Sequence, residues 1–174
     1  HFFNPVHRMP LVEVIAGART SAAAIGTVVE LARRLGKTPV VVKDGPGFLV
    51  NRLLAFYMGE ALRLVEEGVA VEAVDRAMVD WGMPMGPVAL VDEVGIDVAA
   101  KVAHILAEAF GDRLPIAAGS ERVLSSGRLG AKTQRGFYLC REQRRTVPDP
   151  EIPALVGAPR TPSSASADQL VLRM

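Results

Sequence analysis

Two residues carry most of the chemistry legible in this chain, His1 and, twelve positions on, Glu13. An imidazole can take up and return a proton near neutral pH, and a carboxylate on its other ring nitrogen fixes the tautomer and balances the imidazolium. The pair therefore suits general acid–base work, if the backbone brings its members together. His1 to Val6 and Leu11 to Ile15 are both rich in Phe, Val and Ile and read as strands. His7-Arg8-Met9-Pro10 reads as the turn between them. A hairpin centred near His7 sets residues 1 and 13 opposite each other, with side chains on one face. Spacing alone also allows a second reading, in which His1 is a leftover of a tag and Glu13 a solvated strand carboxylate.

The elements around the pair read as strand, strand, helix, strand over residues 1 to 43. Thr20 or Ser21 can cap the helix, whose apolar face is Ile25, Val28, Val29, Ala32 and Leu35, and Gly36 ends it. Val40-Val41-Val42 predicts a buried strand. This reads as the closing portion of an α/β domain. Asp44-Gly45-Pro46-Gly47 breaks the periodicity and reads as a hinge, since no Gly-x-Gly-x-x-Gly stands between a strand and a helix. A helix apolar over most of its circumference follows, Leu49 to Glu67, central in its domain or buried in an interface. Val71, Val74, Ala77, Met78 and Trp81 mark a second helix. Pro87 opens a third, Asp97 caps a fourth running to about Phe110, and Ser120 caps a short fifth. Arg141 to Ala167 reads as a linker, and Asp168-Gln169-Leu170-Val171 echoes Asn51-Arg52-Leu53-Leu54.

Composition narrows the classes. Among 174 residues, 20 Lys and Arg nearly cancel 19 Asp and Glu, giving a net charge of +1 without the basic clustering a nucleic-acid partner requires. A single cysteine, Cys140, precludes an intramolecular disulfide and suits a reducing compartment. No apolar run is long enough to span a membrane. Asp92, Glu93 and Asp97 read as helix caps and surface charges, and no His stands at metal-ligand spacing from them, so no metal site is expected. His7 falls in the turn and His104 in mid-helix, away from the pair. The opening inside a strand-like run, without an initiator Met, reads as a piece of a larger chain.

The run His1-Phe2-Phe3-Asn4-Pro5-Val6-His7-Arg8-Met9-Pro10-Leu11-Val12-Glu13-Val14-Ile15 resembles the catalytic segment of the L-3-hydroxyacyl-CoA dehydrogenases. Its His7-Arg8-Met9-Pro10 form is similar to the multifunctional α-subunits of bacterial fatty-acid oxidation complexes. Further blocks follow in family order: Gly36-Lys37-Thr38-Pro39, Asp44-Gly45-Pro46-Gly47-Phe48, Asn51-Arg52, Gly82-Met83-Pro84-Met85-Gly86-Pro87, Asp92-Glu93-Val94-Gly95 and Lys132-Thr133-Gln134-Arg135-Gly136.

The resemblance implies a mixed α/β then all-α chain. Residues 1–46 would be the C-terminal end of a Rossmann-type NAD-binding domain, and 47–140 an all-helical C-terminal domain for dimerisation and substrate. Residues 141–174 would be a linker and the start of a second helical repeat. It implies NAD-dependent oxidation of 3-hydroxyacyl-CoA in fatty-acid β-oxidation. His1 would be the acid/base, Glu13 its orienting carboxylate, Asn4 and Lys132 cofactor-side residues, and Asn51 a substrate-binding residue. NAD would be held mainly by an upstream domain, leaving this piece inactive alone. The parent would be cytoplasmic and bacterial, with a hydratase/isomerase part, a thiolase partner and a homodimeric helical domain. The alternative is a non-catalytic helical dimerisation module.

Overall fold

The structure is a computed structural model that describes every residue except 115, 142, 143 and 162, and the backbone alone of 141 and 144–146. The chain divides into two compact units, His1–Leu53 and Leu54–Met174.

In the first unit, β1 (Leu11–Ala16) pairs in parallel with β2 (Thr38–Lys43), from Leu11↔Thr38 to Ala16↔Lys43. The crossover is α1 (Ala22–Arg34). Ser21 is its cap, accepting from the Ala24 N–H at 3.1 Å, while Thr20 instead accepts from the Gly17 N–H. Gly36, at φ +71°, reverses the chain so that its N–H reaches the Arg33 carbonyl at 2.9 Å. The expected strand His1–Val6 does not form. Phe2 makes an isolated antiparallel bridge to Val12, and residues 4–8 turn, with a cis Asn4–Pro5 bond. Lys37 holds that turn by donating to the carbonyls of Val6 and Met9, at 2.5 and 2.8 Å. Nor is β2 buried. Among the described residues it is paired on one edge only, and Val41 remains 50% exposed.

The long helix α2 (Val50–Glu66) begins in the first unit and runs into the second. Leu49, just ahead of it, and Leu53 and Phe56 on it are exposed, whereas Ala61, Leu64 and Val65 are buried. Then come α3 (Val71–Trp81), α4 (Pro87–Val94), α5 (Ile96–Phe110) and α6 (Ala118–Ser125). The core of the second unit gathers Leu64, Val74, Val88, Ile96, Val123 and Phe137. Trp81 does not join it and is 64% exposed, because Gly82 ends the helix beside it. Asp97 is not the α5 cap, a place that falls to Gly95, and Ser120 lies inside the first turn of α6 with its hydroxyl on the Ala117 carbonyl.

The stretch read as a linker is largely folded, although residues 142, 143 and 162 of it lie outside the described residues. β3 (Tyr138–Arg141) pairs antiparallel with β4 (Arg144–Pro148), and α7 (Ile152–Val156) buries Ile152 and Val156. Asp149 explains the docking. Its buried carboxylate takes Arg128 Nε at 3.1 Å, Arg135 Nε at 2.5 Å and the Glu151 N–H at 3.0 Å. Pro and Arg content concealed two apolar residues and a charge clasp. The chain closes with α8 (Ala167–Arg173), capped by a reciprocal Ser166/Gln169 box.

Candidate active site

The first unit brings His1 and Glu13 together. Their backbones exchange both hydrogen bonds, Glu13 N–H to the His1 carbonyl at 3.0 Å and His1 N to the Glu13 carbonyl at 2.8 Å. The side chains meet on one face, with His1 Nδ1 2.7 Å from Glu13 Oε2. A carboxylate oxygen accepts, so Nδ1 carries the hydrogen and the lone pair of neutral His1 sits on Nε2. The Glu13 side chain is fully buried, and the His1 side chain is 28% exposed.

A buried carboxylate needs more than one donor. Glu13 Oε1 accepts the N–H groups of Leu49 and Val50 at 2.9 and 3.0 Å, at the start of α2. These are orphan helix-start donors, so the strand carboxylate caps α2 from outside its own chain segment. The sequence held a signal for this: a Glu between Val12 and Val14 on an apolar strand must find partners, and a helix beginning at 50 offers them. Two further neighbours escaped sequence reading. The rings of Phe3 and Phe48 lie 4.7 and 5.5 Å from the imidazole, tilted by 58° and 52°.

Asn4 is exposed and Asn51 half-buried, one position beyond Val50. Neither side-chain amide takes a hydrogen-bond partner among the described residues. Lys132 belongs to the second unit. It makes a two-pronged pair with Asp97, at 2.7 and 2.9 Å. The hydrogen bond from Lys132 holds the Asp97 carboxyl below its usual range. His7 lies in the exposed turn, and His104 pairs with Glu121 at 2.9 Å. No group of His, Cys, Asp and Glu that could hold a metal occurs among the described residues.

Asp92, expected at the surface, is buried. It accepts the N–H groups of Phe137 and Tyr138 at 2.9 and 2.8 Å, and Gly130 and Gly136 press against it where a Cβ would collide. Asp75 accepts from Val88 and Ala89, at the start of α4, at 2.8 and 3.0 Å and from the Tyr138 hydroxyl at 2.7 Å. Burial, and then the Asp75 charge, push the Tyr57 phenol up to about 12.

Comparison with known proteins gives concordant results. The family model described as the NAD-binding domain of 3-hydroxyacyl-CoA dehydrogenase matches residues 1–45, and that described as its C-terminal domain matches residues 47–140. The fatty acid oxidation complex subunit alpha of Shewanella sp. (strain ANA-3) is 54% identical over 138 residues, which is 79% of this chain and 20% of that protein. The chain thus spans about a fifth of the length of the curated relatives it matches. The crystal structure of (S)-3-hydroxybutyryl-CoA dehydrogenase PaaH1 from Ralstonia eutropha superposes with a TM-score of 0.78 at 39% identity, over 82% of this chain and 51% of that one. The dehydrogenase part of multifunctional enzyme 1 from C. elegans aligns with 100% of this chain and 40% of its own, with a TM-score of 0.73 at 30% identity.

Proposed function

We infer that this chain, which belongs to the 3-hydroxyacyl-CoA dehydrogenase family, supplies the acid–base pair for NAD-dependent oxidation of a 3-hydroxyacyl-CoA to the 3-ketoacyl-CoA. The observation that carries this is the 2.7 Å His1–Glu13 hydrogen bond, which leaves Nε2 of a partly exposed imidazole free to accept a proton. Nε2 takes the proton of the substrate's 3-hydroxyl. Glu13 balances the imidazolium that results and keeps the ring turned outward. The Asn51 amide donates to the oxygen on which charge develops, without titrating itself. Bound NAD supplies the acceptor for the hydride leaving C3.

The Asn4 amide, exposed and without a hydrogen-bond partner among the described residues, would be available to the nicotinamide end of that cofactor. The residues present include no Gly-x-Gly-x-x-Gly turn for the pyrophosphate, which in this reading is held by residues outside the chain. Lys132, paired with Asp97, is assigned to the cofactor's side by resemblance alone.

His1→Gln in the complete gene product tests the reading. Formation of NADH from 3-hydroxybutyryl-CoA should fall by about a thousand-fold, within the usual span for a general base, while enoyl-CoA hydration persists. Undiminished NADH formation would overturn it.

The α-subunit relatives carry the name of a complex, and no helix among the described residues is long and apolar enough to cross a membrane. The proposal extends to a cytoplasmic bacterial parent that assembles with a thiolase subunit and pairs with a second copy through its helical unit. The exposed Phe56 on α2 within that unit supports the pairing. Light scattering at micromolar concentration should give the mass of a dimer, and a monodisperse monomer would remove this part of the proposal.

A further inference from the structure

We infer that Phe48 is a positioning residue for the His1–Glu13 pair, acting on the carboxylate through its backbone and on the imidazole through its ring. The inference rests on the dehydrogenase reading for its catalytic consequence only.

Gly47 and Phe48 both have positive φ, +72° and +44°. Glycine takes that region freely, whereas a residue with a Cβ does so at a steric cost and persists there when its surroundings demand it. The Phe48 N–H donates to the Gly45 carbonyl at 3.0 Å, and Arg52 Nε donates to the Pro46 carbonyl at 2.8 Å. Together these close a tight reversal between β2 and α2. The reversal delivers the Leu49 and Val50 N–H groups to Glu13 Oε1. The opposite oxygen of the same carboxylate holds His1 Nδ1. The start of α2 is therefore the third member of the pair, and Phe48 sets its place.

At position 48 a glycine would meet the backbone requirement without strain, yet a phenylalanine stands there with its ring 5.5 Å from the imidazole centroid. Glu13 fixes the ring nitrogen that donates, but one hydrogen bond does not by itself stop the imidazole from rocking about its axis. The Phe48 and Phe3 rings limit that motion and hold Nε2 in one direction. A small misdirection of a catalytic group lowers the rate of the chemical step more than it alters binding.

The experiment uses Phe48→Leu, Phe48→Gly and Phe48→Tyr. The chain has three histidines, so its imidazole nitrogens can be assigned by NMR in the 174-residue protein. The wild type should show His1 as one Nδ1–H tautomer. Leu and Gly should keep that tautomer but broaden the His1 ring signals as the imidazole samples other orientations, while Tyr, which keeps the ring, retains the wild-type line widths. In the complete gene product, Leu and Gly should lower kcat about ten-fold with KM within about two-fold, below the hundred-fold that misplacement can reach, and Tyr should restore it. Gly also relieves the positive φ, so a Gly variant that folds as well as wild type separates positioning from stability. Wild-type His1 line widths and kcat in both Leu and Gly would overturn the inference. If the complete protein shows no dehydrogenase activity while the His1 line widths still respond to Phe48, the functional reading fails and the positioning role stands.

Discussion

The two units use the same device for different ends. In the first, Glu13 on β1 receives two consecutive N–H groups at the start of α2 and one side-chain donor, His1. In the second, Asp75 on α3 receives two consecutive N–H groups at the start of α4 and the Tyr138 hydroxyl. Each carboxylate is buried, and each answers orphan donors that a helix cannot satisfy for itself. The difference lies in the third donor. Tyr138 is 8% exposed and has its own N–H on Asp92, so its hydroxyl is committed to the core. The His1 side chain is 28% exposed and retains a free second nitrogen. On the proposed reading, an anchored carboxylate serves catalysis only when its partner has another polar atom to present outward.

Neutralising the two carboxylates in parallel sharpens this contrast most. Glu13→Gln in the complete gene product should reduce dehydrogenation by about a hundred-fold or more, because the imidazolium loses its counter-charge. An amide can still accept the helix N–H groups, so the fold should persist. Asp75→Ala should instead destabilise the helical unit by about 3 kcal/mol, since it strands two buried N–H groups and a phenol. It should leave the tautomer of His1 unchanged. Denaturant melts and NADH-forming rates for both variants decide the matter. A Glu13→Gln protein with full activity, or an Asp75→Ala protein of wild-type stability, would break the comparison.

A smaller effect is expected at Asp149. Burial pushes its carboxyl up, but hydrogen bonds from Arg135, the Glu151 N–H and Arg128 outweigh burial and hold it below the usual range. A carboxyl lowered in the folded state contributes stability that is fully present above its ordinary value of 3.8 and is lost as pH falls through the folded value. Asp149→Asn should therefore cost about 2 kcal/mol at neutral pH. That is less than complete removal of a buried ion-pair partner, because the amide oxygen still accepts. It should also flatten the loss of stability on acidification below about pH 4. An unchanged acid dependence in thermal melts would show that the Arg128–Asp149–Arg135 clasp does not hold β4 and α7.

How much was legible follows from how local each signal is. The βαβ order, the α2 to α4 spans and the glycine stop at 36 were readable, because periodicity and positive-φ positions act over a few residues. The 1↔13 register was readable too, since a turn centred on residue 7 admits one pairing. The folded tail was not. Pro148, Pro150 and Pro153 read as linker, and only burial of Ile152 and Val156 and the pull of two arginines on Asp149 outweigh that composition. Asp92 read as surface charge, because its donors lie 45 and 46 residues away.

The sequence by itself determined that His1 and Glu13 could exchange a proton if a turn near residue 7 set them opposite each other, and the 3.0 and 2.8 Å backbone hydrogen bonds between them settle that register. The tertiary structure alone decided what completes the pair. The Leu49 and Val50 N–H groups and the Phe48 ring come from 36 to 47 residues away along the chain. The need of a buried carboxylate for donors predicts that partners exist, but only the packed chain says which ones.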